Sequence, residues 1–160
     1  RRLLDYDYTS WNKYDHTTEH HITSGRFVGE SKYKRKFQDA EAMCHEFYAD
    51  LASIRNPSDN RRVKELCNKL GKGSCWIGLQ MDKKANNWDG TKKWLDGHPL
   101  GWTHWAPGEP NNVNGREKCA EIYKTGQWND LPCNRKRYAI CEKVEAHHMG
   151  RFIGVYKLAS

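Results

Sequence analysis

Apolar residues recur at helical spacing in two stretches of the first half of the chain. In residues 37–48 they are Phe37, Ala40, Met43 or Cys44, and Phe47 or Tyr48. This spacing predicts an amphipathic helix whose inner face carries Cys44 into the core. In the second stretch, between Pro57 and Gly71, they are Val63, Leu66, Cys67 and Leu70. Proline favours the first turn of a helix and glycine follows the last, so a second helix is predicted there.

After residue 73 the apolar positions form short runs, which are typical of strands. WIGL at residues 76–79 predicts a buried strand, and KWLDG at 93–97 predicts a strand that ends in a turn. Residues 27–34 read as a first strand, and residues 119–123 and 138–143 as the last ones. The fold class predicted is α+β, with two helices, small antiparallel sheets and a long irregular loop region. Long ordered loops are usually functional.

Composition and cysteine content indicate an oxidised protein of single-domain size. The 160 residues suffice to bury one core, and seven Trp, eight Tyr and four Phe supply large apolar surfaces. The six cysteines are an even number, as in secreted proteins, and their pairing cannot be read from spacing. They form no paired C-x-x-C clusters, which argues against structural zinc. We therefore expect a secreted or extracellular location.

The net charge is positive but dispersed along the chain. It amounts to +7 at pH 7, with basic groups at residues 32–36, 61–62 and 135–137. No stacking-aromatic motif of a nucleic-acid module accompanies them, so a solvated face is the preferred interpretation. Contact with an anionic glycan or a membrane surface is the alternative. No apolar run reaches transmembrane length. We expect no nucleic-acid partner and no membrane insertion.

The stretch 108–130, GEPNNVNGREKCAEIYKTGQWND, concentrates hard oxygen donors around irregular turns. Three carboxylates and two amides are the candidates: Glu109, Asn111, Glu117, Asn129 and Asp130. Calcium takes about 6–8 oxygens and tolerates irregular loops, whereas zinc prefers His or Cys. If the Asp130 carbonyl adds one oxygen to these five, about two positions of an eightfold shell stay open to a ligand. A solvated loop without a metal is the alternative, since it contains the same residue types.

The order of motifs along the chain resembles the C-type lectin domain family. EPN at 109–111, a Glu two residues before a Cys, and WND at 128–130 are similar to its sugar-binding half. The other matching motifs are LASI at 51–54, WIGL at 76–79, WLDG at 94–97, Trp102, Trp105 and ICE at 140–142. The resemblance divides the chain into an N-terminal extension (1–25), a C-type lectin domain (26–144) and a C-terminal extension (145–160).

The resemblance implies how a sugar would bind. In such lectins two vicinal hydroxyls enter the open calcium positions, and each also contacts a carboxylate and an amide that hold the ion. Glu109 and Asn111 would bind one hydroxyl, and Glu117 and Asn129 the other. Asp130 would complete the calcium shell. The hydrogen bonds are charge-assisted, which allows a small contact to discriminate between stereoisomers.

The resemblance also implies a specificity. The order Glu-Pro-Asn is similar to the branch that prefers mannose, fucose, N-acetylglucosamine and glucose over galactose. Pro110 is expected to follow a cis peptide bond, which directs Glu109 and Asn111 to one ion. Val113 stands where this branch often places a residue against the sugar ring. We expect glycans that bear these sugars as partners.

A second calcium site is common in the family, but the sequence matches it less well. Its candidate ligands are Asp82, Asp89, Asn112 and Glu117. Lys118 occupies a position where a further carboxylate is expected, and an ammonium group would repel a second ion. One Ca²⁺ is therefore expected, with a second possible.

The resemblance implies two disulfides and leaves a third by elimination. The pairs are Cys44 with Cys141, Cys119 with Cys133 and, outside the usual family pattern, Cys67 with Cys75.

Two other function classes were weighed against calcium-dependent sugar binding for recognition, adhesion or agglutination. One is a protein-binding module of the same fold that does not use sugar. Such members often lack the full set of five ligands, which this chain retains. The other is an enzyme, which we do not expect, because no nucleophile elbow or other catalytic setting is present. A single open site binds weakly, so an oligomer would add avidity.

Overall fold

The computed structural model of the protein describes residues 20–22, 27–31, 33–69 and 73–143. The C-terminal extension and most of the N-terminal one lie outside these residues. Two helices are described, α1 at Phe37–Glu46 and α2 at Pro57–Lys69. Neither has the length and apolar character that crossing a bilayer requires. The α+β class predicted from the sequence is confirmed.

Helix α1 buries Phe37, Ala40, Met43 and Cys44, as the spacing predicts, whereas Phe47 and Tyr48 follow its last residue and are half-buried. Helix α2 begins at Pro57 and buries Val63, Leu66 and Cys67 on one face. Its first turn is capped, since Asn56 Oδ1 accepts the backbone N–H of Asp59 at 2.8 Å. The Asp59 carboxylate in turn accepts the N–H of Arg55 at 3.0 Å.

The strands form one sheet with the order β1-β2-β7-β4-β5-β6, and β3 pairs with β7 beside this path. Their bounds are β1 His20–Ile22, β2 Phe27–Ser31, β3 Ala49–Leu51, β4 Cys75–Gln80, β5 Cys119–Ile122, β6 Trp128–Leu131 and β7 Tyr138–Lys143. The expectation of purely antiparallel sheets is wrong, because β4 and β7 run parallel. A buried apolar run indicates a strand but says nothing about the direction of its neighbour.

The predicted strand at residues 93–97 is also wrong. Lys93 forms only an isolated bridge with Pro99, and Gly97 has a φ of 94° within a tight turn. The Trp94 N–H donates to the His98 carbonyl at 2.9 Å, so this short segment bonds mainly to itself. The short strands β1, β3 and β6, of three or four residues each, were not predicted.

The core beneath the long loops is rich in tryptophan. Trp128 on β6 is fully buried and meets Trp94, Trp102 and Trp105 edge-on at centroid distances of 5.4, 5.8 and 5.7 Å. Its indole N–H donates to Asn60 Oδ1 on α2 at 2.8 Å. These contacts fix the strand that carries Asn129 and Asp130, because edge-on aromatic pairs and a satisfied buried N–H both favour one arrangement.

All six cysteines lie in the described residues and are paired. The disulfides are Cys44–Cys141, Cys67–Cys75 and Cys119–Cys133, the same pairs set out above. The first joins α1 to β7 across 97 residues, and such a long closed loop restricts the unfolded chain strongly. The third joins the start of β5 to the segment after β6, at the base of the oxygen-rich loop. Disulfides of this kind persist in oxidising compartments.

Candidate functional site

The loop between residues 106 and 118 follows a series of tight turns. The Glu109–Pro110 peptide bond is cis, and Gly108 has a φ of 81°. Asn112 and Asn114 also take positive φ, at 44° and 55°. Glycine and asparagine tolerate this left-handed backbone better than other residues, so the sequence GEPNNVN suits the turns it forms.

Asp130 fastens this loop to β6. Its carboxylate is fully buried and accepts the consecutive backbone N–H groups of Asn111 and Asn112, at 3.2 and 2.7 Å. The indole N–H of Trp88 donates to the same carboxylate at 2.8 Å. Successive N–H groups directed at one anion form a concave anion-binding turn. Asp130 therefore sets the position of the loop that carries Glu109 and Asn111.

Glu117 closes the other end of the loop. Its backbone N–H donates to Asn112 Oδ1 at 3.0 Å, and its Oε1 accepts the N–H of Val113 at 3.0 Å. The Trp88 indole, which also bonds Asp130, donates to the Glu117 carbonyl at 3.2 Å. Trp88 thus ties Glu117 and Asp130 to the same aromatic core, a role that the sequence analysis did not assign to it.

The carboxylates of the site repel one another. The pKa of Glu109 lies above its usual value, first because of burial and then because of the negative charges of Asp130 and Glu117. The pKa of the Tyr123 phenol is also raised, by burial and then by Glu121, Glu109 and Glu117. The neighbouring carboxylates thus add to the effect of burial at both groups, and a bound cation would offset their negative charge.

Asn129 projects from β6 towards β5. Its amide nitrogen donates to Glu121 Oε1 at 3.1 Å, and the two residues are direct partners across the β5–β6 ladder. Glu121 is buried and pairs with the guanidinium of Arg137. The sequence analysis missed Glu121, although a carboxylate inside the apolar run CAEI is a signal that it could have used.

The donor chemistry of the site suits calcium. Three carboxylates and two amides supply hard oxygens, with no His or Cys among them. Within the described ranges, however, no three His, Cys, Asp or Glu side chains converge closely enough to cage a metal. Asp130 and Glu117 instead accept the backbone N–H groups of the loop, while Asn129 is directed to Glu121. The five residues thus lie on two adjoining segments, the loop between residues 106 and 118 and strand β6.

The residues considered for a second calcium are only partly brought together. Asn112 and Glu117 are joined by the hydrogen bond described above. Asp82 is exposed, and its Oδ1 accepts the N–H of Lys84 in its own turn at 2.8 Å. Asp89 is exposed in the short 3₁₀ turn Trp88–Gly90. These contacts leave the second site a prediction.

The candidate site lies outside two cavities in the part of the chain that the structure describes. Two cavities of about 440 and 640 Å³ lie beside α1 and under residues 80–97, and none of the five residues lines either of them. Val113, next to the site, has 48% of its surface exposed, so its apolar side chain is available for contact.

Comparison with known proteins identifies the family. The sequence model described as "Lectin C-type domain" matches residues 33–143, which is more than half of the chain. The chain belongs to the C-type lectin domain family. This membership agrees with the two helices and the small mixed sheet, and it confirms the C-type lectin fold expected from the motifs.

Relatives and solved structures extend the comparison. Pulmonary surfactant-associated protein D of Bos taurus is 36% identical over 124 residues, which cover 74% of this chain and 32% of that protein. The chain thus spans about a third of that relative's length. The mouse scavenger receptor C-type lectin carbohydrate-recognition domain superposes with a TM-score of 0.64 at 31% identity, covering 79% of this chain and 94% of that one.

A structure of different function also matches. A calcium-independent type II antifreeze protein superposes with a TM-score of 0.62 at 26% identity, over 79% of this chain and 92% of that one. None of the three relatives named here carries the name of an enzyme. The fold therefore supports a binding domain, and the residues of the site must decide what it binds.

Proposed function

We propose that this domain binds saccharides in a calcium-dependent manner. The observation that carries the proposal is the buried Asp130 carboxylate. It accepts two backbone N–H bonds from the loop between residues 106 and 118, called the EPN loop below, and so holds this loop against β6. The pKa of Glu109 is raised, first by burial and then by the negative charges of Asp130 and Glu117. Neighbouring negative charges favour a cation.

In the proposal each side chain of the site has a role. Calcium, when bound, supplies two open coordination positions for vicinal hydroxyls of a sugar ring. The Glu109 and Glu117 carboxylates accept hydrogen bonds from those hydroxyls, and the Asn111 and Asn129 amides donate hydrogen bonds to the hydroxyl oxygens. Asp130 contributes to the calcium shell and keeps the EPN loop in place. Charge-assisted hydrogen bonds of this kind are about twice as strong as neutral ones.

The sugar class follows from the order of the two loop residues. With Glu109 as acceptor and Asn111 as donor, we propose a preference for mannose, fucose, N-acetylglucosamine or glucose over galactose. Val113 is proposed to contact the ring, in keeping with its exposure. One calcium is proposed, with a second one, held by residues such as Asp82 and Asp89, as the less favoured case.

The setting of the domain is proposed to be extracellular. Three disulfides and relatives such as pulmonary surfactant-associated protein D support this location. The bounds 26–144 are proposed for the domain. Because an open single site binds weakly, we propose that useful strength comes from several sites in one assembly.

A glycan array tests this function. Wild-type protein is applied in millimolar calcium and in excess chelator. We expect retention on mannose-, fucose-, N-acetylglucosamine- or glucose-terminated glycans in calcium and loss of retention in chelator. The double variant Glu109→Gln/Asn111→Asp, which exchanges acceptor and donor order, is expected to shift retention towards galactose. An unchanged sugar profile of this variant would contradict the role assigned to the loop.

A protein-binding module that does not use sugar is the second candidate. What supports it is that the fold also occurs in a calcium-independent antifreeze protein, so the fold alone does not require calcium. The same array separates the two: no retention on any glycan, with or without calcium, would favour the second candidate.

A further inference from the structure

Glu121 is a buried charge that the proposed function does not use. Its side chain is 2% exposed, and the other three residues of β5 are fully buried and apolar. Removing a carboxylate from water costs several kcal/mol unless it is paired and hydrogen-bonded. Such a residue in a short strand therefore calls for a partner, and two are present.

The partners of Glu121 lie on both sides of β5. The Arg137 guanidinium binds Oε2, and the Asn129 amide nitrogen donates to Oε1 at 3.1 Å. A buried ion pair adds little net stability compared with apolar residues of similar volume. Stability alone is thus a weak reason for this pair. Its other consequence is geometric, because it fixes the side chain of a residue in the candidate site.

An asparagine amide can be inverted by rotation about its last side-chain bond, which exchanges its oxygen and its nitrogen. Donation of one N–H to Glu121 holds the nitrogen of Asn129 on the β5 side. The oxygen and the second N–H then face away from Glu121. Those are the two groups that the proposed site requires of Asn129, the oxygen for the cation and the N–H for a sugar hydroxyl.

We propose that Glu121, held in place by Arg137, is a positioning residue that selects the amide orientation of Asn129 needed for ligand binding. The effect on ligands rests on the proposed function, whereas the orientation itself belongs to the protein without ligand. Supporting groups around metal ligands commonly matter this much, since their loss costs about 10–100-fold in metal affinity.

Two matched variants test the proposal without leaving an unpaired charge. Glu121→Met/Arg137→Met replaces the ion pair by apolar side chains of similar size, which proteins generally tolerate. Glu121→Gln/Arg137→Met lacks the ion pair as well but keeps an acceptor oxygen for Asn129. The two variants differ only at residue 121, where Gln supplies an amide with an acceptor oxygen and Met supplies none.

The first readout uses calcium-free protein. Nuclear magnetic resonance follows the side-chain amide signals of Asn129, assigned by their loss in Asn129→Ala. We expect the Met/Met variant to shift these signals and to speed their hydrogen exchange, and the Gln/Met variant to stay close to wild type. Equal spectra for the two variants would overturn the proposal, even if the protein bound neither calcium nor sugar.

The second readout is calcium affinity, measured by calorimetry. The Met/Met variant is expected to lose about tenfold or more, with recovery of most of that loss in the Gln/Met variant. In the Asn129→Ala background the Met/Met change should have no further effect, because Glu121 acts through Asn129. Equal losses with and without Asn129 would show a general structural effect and overturn the proposal. Absence of calcium binding in wild type would instead refute the proposed function.

Discussion

Asp130 is the residue on which the site depends most. It accepts three hydrogen bonds, two from the EPN loop and one from Trp88. Its loss would leave buried donors unsatisfied, at a cost of about 1–3 kcal/mol each. A single carboxylate thus combines a structural role with its proposed role as a cation ligand. For this reason, tests of binding are better made on Glu109, which is partly exposed and carries less of the fold.

The raised pKa of Glu109 predicts how calcium binding responds to acid. Because burial and the charges of Asp130 and Glu117 raise its pKa, a proton competes with calcium at a higher pH than for an ordinary glutamate. Calcium affinity should therefore fall between pH 7.5 and pH 5, and sugar should be released with it. Calorimetric titrations at several pH values measure this.

The raised pKa of Glu109 also predicts how the stability of the calcium-free protein depends on pH. The folded-state pKa of Glu109 is raised, so ionising this group destabilises the fold. The calcium-free protein should therefore lose part of its stability as the pH rises through that pKa, and Glu109→Gln should remove this part. Glu65→Gln, on the exposed face of α2, is the control. A calcium affinity that is constant from pH 7.5 to 5 would contradict the account.

At the scale of elements, the two helices could be predicted because they depend on the spacing of apolar residues within one short segment. The burial of Met43 and Cys44 on α1 and the start of α2 at Pro57 agree with the spacing and the helix signals. The parallel neighbours β4 and β7 were not predicted, because partner and direction depend on residues far apart in the chain. The turn at residues 93–97 was predicted as a strand because it contains the apolar residue Trp94. Trp94 is buried by packing against residues distant in sequence, such as Trp128, and not because the segment is a strand.

The candidate site divides in the same way. Its oxygen donors were found in the sequence, because residue type and motif order are local information. The hydrogen bond from Trp88 to Asp130 joins residues 42 positions apart in the chain. The hydrogen bond from Asn129 to Glu121 joins the neighbouring strands β6 and β5. Neither could be read from spacing, since only the folded sheet brings these groups together.

The end of α1 is tied to β3 by a titratable pair. His45 Nε2 lies 3.3 Å from Asp50 Oδ1, and the hydrogen bond to Asp50 raises the pKa of His45 above its usual value. A raised histidine pKa stabilises the fold below the unfolded pKa of about 6.5, and this contribution is lost as the pH rises through the folded value. The contribution should stay below about 1 kcal/mol, because the His45 side chain is largely exposed and solvent screens the pair.

Urea unfolding at about pH 5.5, 7 and 8.5 measures this contribution. We expect His45→Gln to remove part of the loss of stability between the lowest and highest pH. Asp50→Asn should remove the same part, because it takes away the acceptor. If both variants keep the wild-type pH dependence, the pair does not couple α1 to β3 in this way.

At the scale of the whole molecule, the candidate site is negatively charged although the net charge of the protein is positive. The chain carries +7, yet Glu109, Glu117, Asp130 and Glu121 concentrate negative charge at one end of the sheet. Nearby charges affect a bound cation far more than distant ones, which salt screens beyond about 8–10 Å. A basic protein of the C-type lectin domain family can therefore still present a cation site.

The most direct test of the account is a calorimetric titration of methyl α-mannoside into the protein, first in saturating calcium and then in excess chelator. We expect weak binding at one site per chain in calcium and no heat of binding in chelator. The variant Glu117→Gln, which removes one proposed acceptor, should weaken binding in calcium. Equal binding with and without calcium, or no binding of this sugar and of the other proposed sugars in saturating calcium, would contradict the account.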